Sequence, residues 1–289
     1  MAVGDLVTAD WECEYSGLAF GGDSAFAITQ ISGLVDLPVV TSGDSSRLLR
    51  HGTHPGSDFL VDRAVTISLE LYGASDAAME TSVQSLLAAF IPGADEQALV
   101  MQIPGVANGN KFLLWCRPRR RNVPINREWF YRIPIVTLEV AATDPRLYAL
   151  AEGSQSILLP SGSGGMEFNE VPNITFGTTG TGGEQTLNNA GTFSTAPVFK
   201  ITGPVTDPRL INVTSGETFH WEGTVPTGSY LSVDMENRTV LLNGTSSRYS
   251  GLTSASTFWE LAPGDNSIQY RSAAYTASTA VASWRSAWV

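Results

Sequence analysis

At 289 residues the chain has room for one large domain or two of ordinary size, taking about 150 residues per domain. Lys and Arg total 17 against 28 Asp and Glu, a formal charge of -11, and 43% of residues are hydrophobic while 16% are charged; this balance excludes wholesale disorder and a surface built around nucleic acid. With Gly 28, Pro 15 and abundant Ser, Thr and Val, and with no run near the ~20 apolar residues that cross a bilayer, the expectation is a soluble, mainly β protein without membrane insertion.

Along the chain, the first basic residue is Arg47, so the N-terminus lacks the basic region that opens a secretory leader. Cys13 and Cys116 stand outside any CxxC or Cys/His spacing and read as buried free thiols. His51, His54 and Asp58 form an HxxH with a nearby carboxylate, which on a helix would offer two imidazoles to a metal. Gly52, Pro55 and Gly56 make the segment a loop instead, so no metal and no cofactor is assigned. Over 62–71, Val65, Ile67, Leu69 and Leu71 alternate with Ala64, Thr66, Ser68 and Glu70, the period of two of a half-buried strand. Ser75 or Asp76 then caps a helix carrying Met79, Val83, Leu86, Leu87 and Phe90 at helical spacing and stopped by Pro92 and Gly93. It is the one helix the sequence predicts. Strands are expected at 98–103, 111–117 and 128–141, the last with Pro134 marking a bulge or an exposed edge.

The run Arg117, Pro118, Arg119, Arg120, Arg121, followed by Arg127 and Arg132, gathers positive charge in an acidic chain. It reads as a solvated hairpin or a contact with acidic protein rather than as specific nucleic-acid readout. Arg117, Arg119, Arg120, Arg121 and Arg127 are therefore the candidate subunit or partner contacts.

After Asp144-Pro145-Arg146 the character changes, because 154–165 and 178–196 are rich in Gly, Ser and Thr and no helical period returns. A boundary near 150 divides the chain into 1–150, strands with one amphipathic helix laid on them, and 151–289, strands alone. The latter are expected at 197–202, 209–213, 218–221, 230–234, 239–242, 258–261 and 267–271, the spacing of a β-sandwich. Met235-Glu236-Asn237 and Asn243-Gly244 supply hairpin turns. Sequons at Asn173, Asn212, Asn237 and Asn243 read as strand and turn composition.

No constellation of catalytic groups emerges. There is no GxSxG elbow, neither cysteine neighbours a histidine, and His220 between Phe219 and Trp221 reads as a half-buried sheet residue. No catalytic residue is assigned, and the chain reads as a protein other than an enzyme. Trp221, Tyr230, Trp259, Trp284 and Trp288 could stack sugar rings on an exposed sheet face, but core packing is the preferred reading for each.

The order of several short motifs resembles the distal tail protein family of long, non-contractile-tailed phages, the siphovirus-type tail component. They are the stretch 33–36 leading to Arg50-His51-Gly52 and Gly56, the alternating strand opened by Arg63, the single helix, and Asp144-Pro145-Arg146 with Tyr148. In the second half they are Asn189-Ala190-Gly191, Ile201-Thr202-Gly203-Pro204, Asp234 with Arg238-Thr239-Val240, Asn243-Gly244, and 259–266 with its Pro263-Gly264 turn. The resemblance implies an N-terminal tail-tube-like β-sandwich or barrel that forms a homo-hexameric ring, and a C-terminal galectin-like or carbohydrate-module-like β-sandwich that projects outward. It further implies a structural virion protein at the distal end of the tail, made in the host cytoplasm. Its partners would be the tail-tube protein, the tail-tip hub protein and, in some members, a receptor-binding protein. An acidic chain suits a lumen through which DNA slides without sticking, and low charge with many apolar residues suits permanent interfaces. A host-glycan-binding adhesin module and a tail-associated hydrolase are the competing readings. The first is weakened because no Arg lies two residues after Trp259 and His220 lacks a neighbouring Asn and Arg, as the galectin-like sugar site requires.

Overall fold

The structure, a computed structural model, describes residues 2–160, 183–274 and 277–289. It divides into two compact units, Met1–Ala151 together with Trp288–Val289, and Glu152–Ala287.

In the first unit β1 (Glu12–Tyr15), β2 (Leu18–Gly21) and β3 (Phe26–Ser32) precede four short strands, β4 (Val40–Ser42), β5 (Ser45–Ser46), β6 (Thr53–His54) and β7 (Asp58–Leu60). Then come β8 (Arg63–Leu71), helix α1 (Asp76–Ala89), β9 (Gln97–Gln102), β10 (Phe112–Asn122), the short helix α2 (Arg127–Phe130), β11 (Ile135–Ala142) and β12 (Leu147–Ala149). The main sheet runs β2-β1-β9-β10-β11-β8-β3, and its two ends share no ladder, so the barrel alternative is not realised. β10 serves two partners. Phe112 to Cys116 pair with β9, and beyond Arg117 the strand pairs with β11 across a register shift between Pro118 and Arg120. Its continuation past 117, which the charged sequence hides, comes from backbone pairing of Arg120, Arg121 and Asn122 with Glu139, Leu138 and Thr137.

β8 alternates as its pattern predicts, with Val65, Ile67, Leu69 and Leu71 fully buried. Helix α1 starts where Ser75 Oγ accepts from Ala78 N at 3.1 Å, and it buries Met79, Val83 and Leu86 on the same core. Tyr15 stacks on Phe90 with ring centroids 4.7 Å apart, closing the core at the end of the helix.

The segment 128–141 is not one strand. Asn126 Oδ1 caps α2 by accepting from Trp129 N, and β11 begins only after Pro134, whose carbonyl accepts from Leu71 N at 3.0 Å. The cap and the proline outweigh the apolar run that suggested a strand, and the unit has a second, short helix.

The second unit contains β13 (Gly153–Leu158), β14 (Glu184–Asn189), β15 (Val198–Thr202), β16 (Val205–Thr206), β17 (Arg209–Asn212), β18 (Glu217–His220) and β19 (Thr224–Val225). It continues with β20 (Tyr230–Asp234), β21 (Thr239–Leu242), β22 (Ser246–Ser247), β23 (Gly264–Arg271), β24 (Thr279–Trp284) and the start of β25 (Ala287–Trp288). A six-stranded sheet, β13-β24-β15-β20-β21-β22, and a four-stranded sheet, β14-β23-β17-β18, share one core. Phe199, Ile201, Leu231 and Val233 meet Leu187, Leu210, Phe219 and Ile268 there, with Trp259 edge-on to Phe199 at 5.4 Å. This is the expected sandwich.

Three local expectations change. The stretch opening at Ser154 holds β13, with Ile157 and Leu159 buried, and the later Gly/Ser/Thr stretch holds β14; residues 161–165 and 178–182 of these stretches, and Asn173, lie outside the described residues. Residues 258–261 form no strand; Leu261 makes an isolated bridge to Thr195, and Trp259 and Leu261 pack into the sandwich core. β24 escaped notice because its inward positions are the small Ala280 and Ala282.

Three fully buried asparagines hold the loops of this unit. Asn189 Nδ2 donates to Phe193 O at 2.7 Å and Leu261 O at 3.2 Å, while its Oδ1 accepts from Gly191 N and Ala287 N. Asn212 Oδ1 accepts from Thr214 N and Ser215 N, and Asn266 exchanges bonds with both backbone groups of Ala262. Each amide satisfies backbone groups that a loop would otherwise leave buried and unpaired. Gly191 is fixed by space, because a Cβ there would lie 1.8 Å from Ala287 O.

Candidate functional site

The most exposed feature of the first unit is a hairpin arm between β3 and β8. β4 pairs with β7 and β5 with β6, and every residue from 39 to 59 is exposed. His51, His54 and Asp58 all lie on it, in the tip and two short strands rather than in an irregular loop, and all three face solvent. The ribbon is held by Gly43 N donating to Ser57 O at 3.0 Å, Arg47 N to Gly52 O at 3.2 Å, and Gly56 N to Asp44 Oδ1 at 2.8 Å. That last bond is the main reason the Asp44 carboxyl titrates below its ordinary range. A two-stranded ribbon without a core is marginal in water, yet this one carries Val39, Val40 and Phe59, and at its tip Leu48 and Leu49 at 98% and 97% exposure.

Its root is rigid. Arg63, only 1% exposed, donates from Nη1 to the carbonyls of Gly33, Leu34 and Asp36 at 3.0, 2.6 and 3.0 Å, and from Nε to Pro145 O at 2.6 Å. Burial lowers its pKa, and the nearby Asp36 carboxylate works in the other direction. Gly33 permits the turn, with φ +83° and with its hydrogen where a Cβ would sit 2.0 Å from Ala64 O. Sequence reasoning singled out Arg63 and 33–36 without finding that they meet.

The arginine run is partly structural. Arg121 Nη1 donates to Leu87 O at 2.7 Å and Phe90 O at 3.2 Å, capping the C-terminus of α1, which has no basic residue in its own last turn. Arg117 donates to Ala94 O at 3.3 Å, Arg132 pairs with Asp76 at 3.0 Å, and the Arg127 guanidinium lies 5.5 Å from the centre of the Tyr131 ring. Arg119 is exposed, and Arg120 makes an exposed 3.4 Å pair with Glu139. The run is therefore spread along one strand and the α2 turn, with several charges already engaged.

Between α1 and α2 lies a groove of about 610 Å³. Met79 and Val83 form its floor, Trp129 and the 80% exposed Phe130 one wall, and Asp76 and Glu80 its acidic rim.

In the second unit Trp221 and Trp259 are buried in the sandwich core, and Trp288 is buried in the core of the first unit. Tyr230 is half-buried under Lys200, whose Nζ is 4.4 Å from the ring centre, and Trp284 Nε1 donates to Asn188 O. The exposed ring that sequence reasoning passed over is Tyr249, 55% exposed and stacked on Phe258. His220 is held below its ordinary pKa, first by burial and then by Arg209. Among the described residues no three His, Cys, Asp or Glu side chains cluster as a metal site would require, and no helix is long and apolar enough to cross a membrane.

Residues 190–288 match the family model described as the siphovirus-type tail component, C-terminal domain, the same family that the order of motifs suggests. The fold aligns with the crystal structure of the SPP1 Dit (gp 19.1) protein, described as a paradigm of the hub adsorption apparatus in phages infecting Gram-positive hosts, over 94% of this chain and 97% of that one, with a TM-score of 0.65 and 12% identity. Chains of the phage P2 baseplate in its activated conformation align with TM-scores of 0.46 (calcium form, 7% identity, 90% and 91% covered) and 0.45 (strontium form, 8% identity, 94% and 96% covered). No curated protein sequence matches the chain.

Proposed function

We propose that this protein is the distal tail component of a long, non-contractile-tailed phage, a structural ring that joins the tail tube to the tail-tip hub. The observation that carries the reading is the family match over 190–288, and the agreement of the whole chain with the SPP1 Dit fold supports it. In this reading the first unit makes a homo-hexameric ring, the second projects outward, and DNA passes through the lumen without specific binding. Its neighbours are the tail-tube and hub proteins and, on the outer face, a receptor-binding protein; its location is the virion tail. Arg119 and Arg120, the arginines of the run most open to solvent, are the partner contacts we assign, with Arg117, Arg121 and Arg127 supporting the surface around them. The protein acts by assembly and has no turnover.

Negative-stain imaging of the purified full-length protein, alone and mixed with its tail-tube protein, tests this reading. Rings with a central hole and six-fold symmetry are expected. A strictly monomeric particle under both conditions overturns it.

A further inference from the structure

An exposed arm with an apolar tip is an unfinished contact, and the same unit carries a groove of matching chemistry. The tip of the arm holds Arg47, Arg50, His51 and His54, while its carboxylates, Asp44 and Asp58, lie further down the ribbon, in a chain whose net charge is -11. Helix α1 presents Asp76 and Glu80 and carries no Lys or Arg. Arg132 already neutralises part of that rim through Asp76, while Glu80 has no ion pair among the described residues. Leu48 and Leu49 touch almost nothing in their own chain, and apolar side chains so placed gain by leaving water. From residue 39 to the tip, an extended strand reaches about 30 Å, far enough to lie across a neighbouring molecule.

We infer that the tip of the arm, Arg47-Leu48-Leu49-Arg50, seats in the α1/α2 groove of a second copy of this chain. The leucines pack on Met79, Val83, Trp129 and Phe130, and the guanidiniums face Glu80 and the acidic rim. Arm and groove are different surfaces of one chain, so the contact is heterologous. Repeated around an axis it closes a ring and leaves no arm free. The inference rests on the ring reading above and specifies its contact. The buried Arg63 clamp supports it, since a rigid root limits what the arm loses in freedom on docking.

Full-length protein carrying Leu49→Cys and Gln84→Cys tests the seat directly, because the native Cys13 and Cys116 are buried. Mild oxidation should yield a ladder of covalent oligomers, and neither single variant should yield one. In parallel, Arg47→Glu with Arg50→Glu should lower the assembled fraction in light scattering by about tenfold, and adding Glu80→Arg should recover most of it. All these side chains are exposed, so thermal unfolding of each variant should match the parent. An oligomeric parent whose double cysteine variant gives no ladder and whose arginine variant still assembles overturns the arm contact and leaves the ring reading standing. A parent that is monomeric at every concentration overturns both.

Discussion

Cys13 and Cys116 show what burial does to a single group. Each thiol lies in a strand of the first unit, and burial in apolar surroundings pushes its pKa up to about 12. Folding therefore favours the neutral thiol. The stability this provides is complete below the unfolded thiol's ordinary pKa and drains away as pH rises from there toward about 12. A maleimide should accordingly label neither cysteine at pH 8 in native protein and both after denaturation, and urea midpoints should fall above pH 9. Fast native labelling would contradict the packing of β1 and β10.

Arg63 is the residue-scale counterpart on the polar side. One guanidinium serves four carbonyls from two separate segments of the chain. Arg63→Ala should cost about 3 kcal/mol, because it removes four hydrogen bonds of a buried cation and leaves the Leu34 carbonyl buried without its donor. Arg63→Lys, with one compact ammonium, should recover only part of it. Urea denaturation measures the loss, and hydrogen exchange at 33–36 should quicken in step.

At the scale of elements, α1 illustrates how a helix can be read at one end and not at the other. Ser75, the apolar positions from Met79 to Phe90 and Pro92 mark it in the sequence, and its start and buried face fall where they indicate. Its C-terminal cap is supplied by Arg121, more than thirty residues later, which a local pattern cannot show. Arg121→Ala should destabilise the protein by about 1 kcal/mol, with fraying at Leu87 and Phe90 visible as faster amide exchange; an unchanged exchange rate would make Arg121 a surface charge only. β8 and the hairpin turn at Asn243-Gly244, where both residues have positive φ, were likewise legible because side-chain period and turn chemistry act locally. β1 to β3 and β24 were not, since their inward faces mix polar, small and aromatic residues whose burial is decided by distant partners. The arm was legible only as Gly and Pro punctuation, because a ribbon without a core leaves no apolar alternation to follow.

At the scale of the molecule, the order of short motifs carried the family while each motif alone was weak. Three residues of those motifs, Arg63, Asn189 and Asn266, answer to backbone groups fixed by the fold, a demand that no local side-chain period expresses. The division near residue 150 has a complication that composition could not reveal. Trp288 lies in the first unit, buried among residues that precede it by more than a hundred positions. Trp288→Ala should therefore cost about 3 kcal/mol and lower the melting of the first unit, whereas a fragment of residues 1–151 should be less stable than the same unit in the intact chain. Equal melting of fragment and intact unit would show the tryptophan to be dispensable.

The placement of that one side chain also sets a schedule for biosynthesis. Domains commonly fold in order as they leave the ribosome, the N-terminal one first. Here the leading unit gains one piece of its interior, Trp288, only after the whole of the sandwich has been made. Chains terminated before it would carry a first unit destabilised by the missing tryptophan and correspondingly easier to cleave. Arrested nascent chains released before and after residue 288 should differ in protease resistance of the first unit, and that difference should vanish in the Trp288→Ala background.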